Sequence, residues 1–366
     1  MNNYWLLIVW IFAGGAVLSF FSKQVEIING RKVNRWQPSA AFLLILPYIV
    51  WSGMRSNIYG DTPYYRQGFL DTPNSWSNFG SFYSELTKDK GFSVLQFIIR
   101  QIVGNSDIAY FMIIAAIQLI IVTLVLRKYS SNYWMSMFLF IASTEYLSWC
   151  HNGVRQFLAV TIIFAGTKWL IERKYIPLIL LIIFASTFHA SLLIMIPIIF
   201  IVQGKAWNKK AIICIILTVV IIVYINQFTN ILDNLLSNTQ YSSMVTDWVE
   251  WEDDGMNPIR ALVYSIPMIL SLVGYKIIRK EDDALINICV NMSILTSALS
   301  IIAVLTSGIF IGRLIIDTAV YSTLILLPWE IDNLFTEDSK LLMRILLVVG
   351  YLAFFYYQMH FAWGLI

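Results

Sequence analysis

The residues best placed to do chemistry are arginines. Arg55, Arg155, Arg260 and Arg313 each fall at one end of an apolar stretch. On the topology argued below, all four ends face outward. Cationic residues are usually enriched on the cytoplasmic side of membrane proteins, so something must favour these. A guanidinium fork matches phosphate oxygens, which makes them candidates for holding an anionic lipid headgroup such as a diphosphate. Snorkelling to the interface, or pairing with Glu145 or Asp317, is the structural alternative. Arg313 and Asp317 lie four residues apart on one helix face, as a purely structural pair would.

Candidate bases accompany them. His189 lies in Ser186-Thr187-Phe188-His189-Ala190-Ser191, a polar interruption of an apolar segment. It suits a general base or substrate contact near neutral pH, or a helix-break cap. Asp61 lies in Gly60-Asp61-Thr62-Pro63-Tyr64-Tyr65 and suits proton abstraction from a sugar hydroxyl, or a turn. Glu145, about one turn inside a predicted span, offers an ion-pair partner for Arg155. His151 reads as an interfacial residue beginning a helix, and His360 is uninformative. Trp248 and Trp251, set among acids, read as interface tryptophans before sugar-stacking ones. Asn287 and Asn291 at i,i+4 suggest interhelical hydrogen bonds. Cys150, Cys214 and Cys289 have no metal-ligand spacing, and an odd, apolar-flanked set argues against disulfides. There is no Walker motif, dinucleotide fingerprint or nucleophile elbow. Neither metal nor cofactor is expected.

A membrane must position these groups. Of 366 residues, 58% are hydrophobic and only 13% charged, against about 25% charged in soluble domains. Mean hydropathy is +0.70. The net charge of +3 says nothing of nucleic acid, and none is expected as a partner. Apolar stretches recur at Tyr4 to Phe20, Ala40 to Gly53, Ile108 to Leu126, Tyr133 to Trp149, Val154 to Ile171, Ile176 to Val202, Ala211 to Ile225, Arg260 to Ile278, Leu285 to Leu305, Arg313 to Leu327 and Leu341 to Tyr357. These predict an all-α, polytopic transmembrane bundle of about 10–12 spans, as a single integral membrane domain over 1–366. The first stretch lacks a basic leader and a clear cleavage site, so it reads as an uncleaved span.

Basic clusters set the orientation. Lys23, Arg31, Lys32 and Arg35, then Arg127 and Lys128, Arg173 and Lys174, Lys205, Lys209 and Lys210, and Arg279 and Lys280 all mark cytoplasmic turns. They fit one topology if two segments behave unusually. Gly91 to Gly104, short and carrying Arg100, reads as an amphipathic helix in the outer interface. Ile176 to Val202, roughly 40 Å if helical throughout, reads as a hairpin with His189 near its tip. Both termini are then external. So are two polar loops, about 54–107 and 226–259, the second carrying Asp233, Asp247, Glu250, Glu252, Asp253 and Asp254.

Four stretches resemble the EpsG-like family of Wzy-type polysaccharide polymerases. They are Gly60-Asp61 with Tyr64-Tyr65 and Phe69; Gly91-Phe92 with Leu95; His151-Asn152-Gly153-Val154-Arg155-Gln156-Phe157-Leu158-Ala159, similar to an Asn-x-x-Arg-Gln-x-x-Ala pattern; and Ala185 to Ser191, similar to a Phe-His-x-Ser turn. Order and spacing agree from about Arg55 to Val202. Beyond that only hydropathy and a loose Gly312-Arg313 with Tyr321 carry the likeness. Asp89-Lys90 stands before Gly91 where a glutamate is expected, so the acid there receives no role.

The resemblance implies a membrane glycosyltransferase of the broad GT-C kind. It would move a growing glycan from undecaprenyl diphosphate to a lipid-linked repeat unit at the outer face of a bacterial plasma membrane, as in capsule, exopolysaccharide or O-antigen assembly. Donor and acceptor lipids, bulk membrane lipids and an optional chain-length regulator are the implied partners. Arg155, helped by Arg55 and Arg313, with Arg260 as a further headgroup ligand, would hold the diphosphate. His189 or Asp61 would take the hydroxyl proton, and Asn152, Gln156, Tyr65 and Glu145 would shape the site. Two other classes fit less well. A lipid-linked oligosaccharide flippase needs a charged path through the bundle, and a membrane sugar acyltransferase needs a polar inner vestibule.

Overall fold

The computed structural model describes residues 4–21, 23–28, 31–225, 255–306 and 310–366, together with Gln227, Phe228, Ile231, Asn234 and Gly308. The acidic segment from Asp247 to Asp254, with Trp248 and Trp251, lies outside the described residues, as does Asp233. The chain is overwhelmingly helical, as expected. It divides into two compact units, Met1–Ile194 with Glu337–Ile366, and Met195–Thr336.

The first unit opens with α1 (Trp5–Phe21) and α2 (Pro38–Gly53). Between them lies a β-hairpin that the all-α expectation missed: Lys23–Ile28 pairs antiparallel with Arg31–Trp36, Lys23 opposite Trp36. Then come α3 (Thr62–Asp71), α4 (Phe79–Glu85), α5 (Lys90–Val103) and α6 (Asp107–Tyr129). They are followed by α7 (Tyr133–Ala142), α8 (Glu145–His151), α9 (Val154–Ala165), α10 (Thr167–Ile171) and α11 (Tyr175–Ser186).

Lipid tails are as apolar as leucine, so helices in a bilayer are held by close packing and polar contacts rather than by hydrophobic exclusion. Polar aromatic edges supply such contacts here. Trp10 Nε1 donates to the Leu44 carbonyl at 2.8 Å, Tyr48 Oη to that of Leu7 at 2.8 Å, and Trp134 Nε1 to that of Ile11 at 2.9 Å. These bonds tie α1 to α2 and α7.

The second unit contains α12 (Met195–Ile201), α13 (Lys209–Val223), α14 (Pro258–Val273), α15 (Tyr275–Glu281), α16 (Ala284–Leu305) and α17 (Ile311–Asn333). α17 carries a π-turn at Ser322–Leu326. Asn287 and Asn291 do bond away from their own helix, but to a loop rather than a facing helix. Asn287 Oδ1 accepts from the Ala206 amide at 2.8 Å, and Asn291 bridges the Trp207 amide and the Val202 carbonyl at 3.1 and 2.9 Å. The last helix, α18 (Glu337–Ala362), belongs to the first unit, where Phe355 packs on Trp5 at 5.3 Å.

Among the described residues, α6, α16, α17 and α18 are long and apolar enough to cross a membrane, or five spans if the pair α14–α15, bent by 72°, counts as one. This makes the chain a multi-pass membrane protein. Several expected spans are broken instead of continuous. Tyr133 to Trp149 is α7 and α8, parted where Thr144 takes the left-handed region at φ 64°. Val154 to Ile171 is α9 and α10, parted at Gly166. Ile176 to Val202 breaks at Thr187–His189, after which a 3-10 turn, Ala190–Ile194, folds back onto α11. A hairpin bend at His189 was the expectation for this segment.

The long helices give each unit two ends. α6 is about 35 Å long, from 23 residues at ~1.5 Å each. At its C-terminus Arg35 donates to the carbonyls of Arg127 and Lys128, and Arg127 to that of Trp36. At its N-terminus Asp107 pairs with Arg66 at 2.5 Å. The basic hairpin therefore lies a full helix length from the loop around Arg55 and Asp61. In the second unit, Lys205 pairs with Asp282 at 3.1 Å and Arg279 donates to Ala206 at 3.2 Å, near the start of α16. Arg260 and Arg313 begin helices at the other end. There Met256 donates to the Ala303 carbonyl at 2.8 Å, and Ala261, Ile302, Ile311 and Ile315 cluster.

Candidate active site

Within the first unit, the end remote from the basic hairpin gathers the motif residues. α9 begins at Val154, so Arg155 projects from a helix start. Its Nη1 lies 2.8 Å from Asp89 Oδ2, and its guanidinium 5.9 Å from the ring centroids of both Tyr64 and Tyr65. The side chain is 23% exposed, and its Nε has no protein partner. The acid against Arg155 is thus Asp89, not Glu145, which is buried in the first turn of α8.

Asp89 is also the residue that sequence reasoning passed over. It precedes α5 in the left-handed region at φ 48°, with its side chain only 5% exposed. The same Oδ2 lies 3.7 Å from His189 Nδ1, and the other oxygen, Oδ1, is buried without a partner. One carboxylate therefore faces a guanidinium and an imidazole. Asp89 sits at that corner because α5 is docked on the His189 turn. The Gly91 amide donates to the Thr187 carbonyl at 2.8 Å, and a Cβ on Gly91 would fall 2.1 Å from Thr187 Oγ1. The Gly-Phe motif and the Phe-His turn are two halves of one contact. The only sequence signal for Asp89 was its place immediately before that motif.

A second pair of motifs meets in the same way. Asn152 Oδ1 accepts from the Asp61 amide at 2.8 Å. Gly60, at φ +46°, lies so close that a Cβ would stand 2.3 Å from that oxygen. This junction fixes the start of α3, where Asp61 is exposed and Tyr65, one turn on, is buried. Burial raises the Tyr65 hydroxyl above its ordinary pKa, so at neutral pH it is a neutral phenol. Gln156 is buried beside Arg155 in sequence.

Arg55 has a different environment. It is 4% exposed, donates to the Cys150 carbonyl at 3.1 Å and stacks 3.7 Å over the Phe111 ring. Burial pushes it down to about 10, which leaves it cationic at neutral pH. It brackets the loop after α2 against α6 and α8. Arg66 reinforces that bracket through Asp107, Asn57 and the Arg55 carbonyl. His151, expected at an interface, is instead wholly buried at the end of α8, with Nδ1 2.6 Å from the Leu147 carbonyl. Arg260 and Arg313 belong to the second unit, both half-buried.

Arg100, in the last turn of α5, ties the end of that helix to the end of α3. It is buried and reaches the carbonyls of Leu70, Thr72 and Gly104 at 3.2, 3.2 and 2.8 Å. It satisfies helix-end carbonyls of α3 and α5 that would otherwise lack partners.

A cavity of about 240 Å³ opens between α3, α5 and Arg155, lined by Tyr64, Tyr65, Gln67, Asp71, Phe92 and Gln96 among others. A second, of about 410 Å³ and largely apolar, runs along the N-terminal half of α5, between Tyr83, Lys90, Val94, Ile98 and Phe184. Among the described residues no three acidic, histidine or cysteine side chains converge as a metal site.

A partly exposed guanidinium, an imidazole and a shared carboxylate can bind an anionic leaving group and accept a proton. No curated protein and no solved structure matches the chain. The model of the EpsG family, whose members are Wzy-type polymerase-like, matches residues 40–364, and the chain belongs to that family.

Proposed function

We propose that the protein polymerises a bacterial surface polysaccharide, transferring a growing glycan from undecaprenyl diphosphate to a lipid-linked repeat unit at the external face of the plasma membrane. The carrying observation is the Asp89 carboxylate that faces both Arg155 and His189. Two things support the external face. The basic hairpin lies a helix length away from this cluster, and basic residues favour the cytoplasmic side.

In this reading Asp89 is a positioning residue. It holds Nη1 of Arg155, and the exposed part of the guanidinium, beside Tyr65, is left to meet the donor diphosphate. The acceptor hydroxyl oxygen attacks the anomeric carbon. The carbon–oxygen bond to the diphosphate breaks, and its electron pair leaves on the diphosphate, which Arg155 stabilises as negative charge builds. The hydroxyl proton passes to His189. Its Nδ1 faces Asp89, so Nε2 is the accepting atom and the carboxylate stabilises the imidazolium that forms. Asp61 is the second candidate base. A chain-length regulator would act from outside this chemistry.

The test is reconstitution of the protein in liposomes with an undecaprenyl-diphosphate-linked repeat unit, resolved on a gel. A ladder of increasing length that disappears with Arg155→Ala and Arg155→Lys is expected. Full-length polymer from a well-folded Arg155→Ala variant would refute the assignment.

A further inference from the structure

The cavity beside Arg155 has a polarity of its own. At one end stand Arg155 and the two tyrosines; at the other stands the Asp71 carboxylate, six residues along α3 from Tyr65. Six residues of helix rise about 9 Å, roughly the reach of one sugar ring carrying a phosphate. The volume of about 240 Å³ lies below the ~300 Å³ at which pockets for drug-sized ligands begin. It suits a single ring, not an oligosaccharide.

The wall chemistry is that of hydroxyl recognition. Gln67 Nε2 donates to Asp71 Oδ1 at 2.7 Å, which fixes the carboxylate and leaves its second oxygen for a ligand. Gln96 is consumed by the frame: it donates to the Gly68 carbonyl at 2.9 Å and to Thr72 Oγ1 at 2.7 Å, and accepts from Tyr110 at 3.0 Å. Tyr64 is 61% exposed and offers an aromatic face. An ionised carboxylate that accepts hydrogen bonds from hydroxyl groups repels another carboxylate at the same spot.

Resting on the polymerase reading, we infer that this cavity is the subsite for the sugar joined directly to the donor diphosphate, and that it selects an uncharged pyranose over a uronic acid. The sugar hydroxyls lie on Asp71, its ring against Tyr64, and its anomeric phosphate toward Arg155.

The experiment uses the full-length protein and the lipid-linked repeat unit extracted from cells that lack it. Adding this probe should slow amide hydrogen exchange in the 64–71 segment. Asp71→Asn, which keeps the Gln67 contact through its amide oxygen, should raise the half-saturating probe concentration about tenfold while the maximal rate stays within threefold. Tyr64→Ala, at an exposed position, should move it the same way and guards against misfolding of the first variant. A ladder from the wild type with unchanged half-saturation in both variants, or no slowing at 64–71, overturns the subsite and leaves the polymerase reading standing. So does a uronic acid found as the lipid-linked sugar of the probe. Slowed exchange at 64–71 that Asp71→Asn abolishes, without any ladder, keeps the subsite and removes the polymerase reading.

Discussion

Gly91 and Thr187, almost a hundred positions apart in the chain, are joined by an amide-to-carbonyl bond of 2.8 Å, at a separation where even a methyl group on Gly91 would collide. This contact carries Asp89 to His189 and Arg155. Gly91→Ala should therefore displace α5 by a few tenths of an ångström or more and misalign the cluster. Small misplacements of reacting groups cost up to about a hundredfold in rate. Polymer yield should fall at least about tenfold with protein level in the membrane unchanged, measured by gel and immunoblot of the same cells.

Asp89 separates geometry from charge. Asp89→Asn keeps an oxygen for Arg155 but removes the charge that supports an imidazolium, whereas Asp89→Glu keeps the charge and shifts its position. If the carboxylate positions Arg155 and steadies His189, Asn should lower the maximal rate by about 10²-fold, the lower range for proton-transfer catalysis. Glu should recover a measurable part of it. Equal and near-wild-type rates for both variants would remove Asp89 from the mechanism.

At the second junction the acceptor atom matters more than the amide group. Asn152→Asp retains an oxygen for the Asp61 amide, whereas Asn152→Ala leaves that donor without its partner. A net hydrogen bond contributes about 1 kcal/mol, so Ala should be the weaker enzyme by roughly fivefold, with Asp between it and wild type. Gly60→Ala should be worse than either, since it adds a strained φ and a clash at the same point.

Arg100 and Asn291 predict stability effects. Arg100→Ala strips a charged donor from buried carbonyls and should destabilise the solubilised protein by about 1–3 kcal/mol. Asn291→Ala removes a clamp on the loop before α13 and should cost less, about 0.6 kcal/mol and at most ~1.7, the range for polar contacts between membrane helices. Thermal unfolding in detergent should rank Arg100→Ala below Asn291→Ala, and both below wild type.

Much of the first unit was legible because its motifs are contact residues. Gly60 with Asn152, and Gly91 with Thr187, are paired by glycines that allow close backbone approach, and short motifs expose such requirements directly. The break at His189 was visible as hydroxyl residues inside an apolar run. Asp89 was not, because its partner Arg155 lies 66 residues away and nothing local marks an ion pair across that separation. Charge alone pointed to Glu145, which is nearer in sequence. Hydropathy located the apolar stretches but not the left-handed Thr144 or the bend at Gly274, since apolar composition is the same on both sides of such breaks. The β-hairpin was hidden because six-residue strands rich in lysine and arginine read as a basic loop. In the second unit motif likeness faded after Val202, yet the family match runs to residue 364.

α6 is held at both tips by arginines, Arg66 on Asp107 at one and Arg35 on the last carbonyls at the other. A spanning helix usually adapts to a thicker or thinner bilayer by tilting. One clamped at both ends to its own protein has lost that freedom, so the lipid must do the adjusting. The distance between the Arg66 and Arg35 clamps is in effect a ruler set into the membrane. Acyl-chain length in the surrounding bilayer should therefore tune this protein's activity even though no acyl chain takes part in the chemistry.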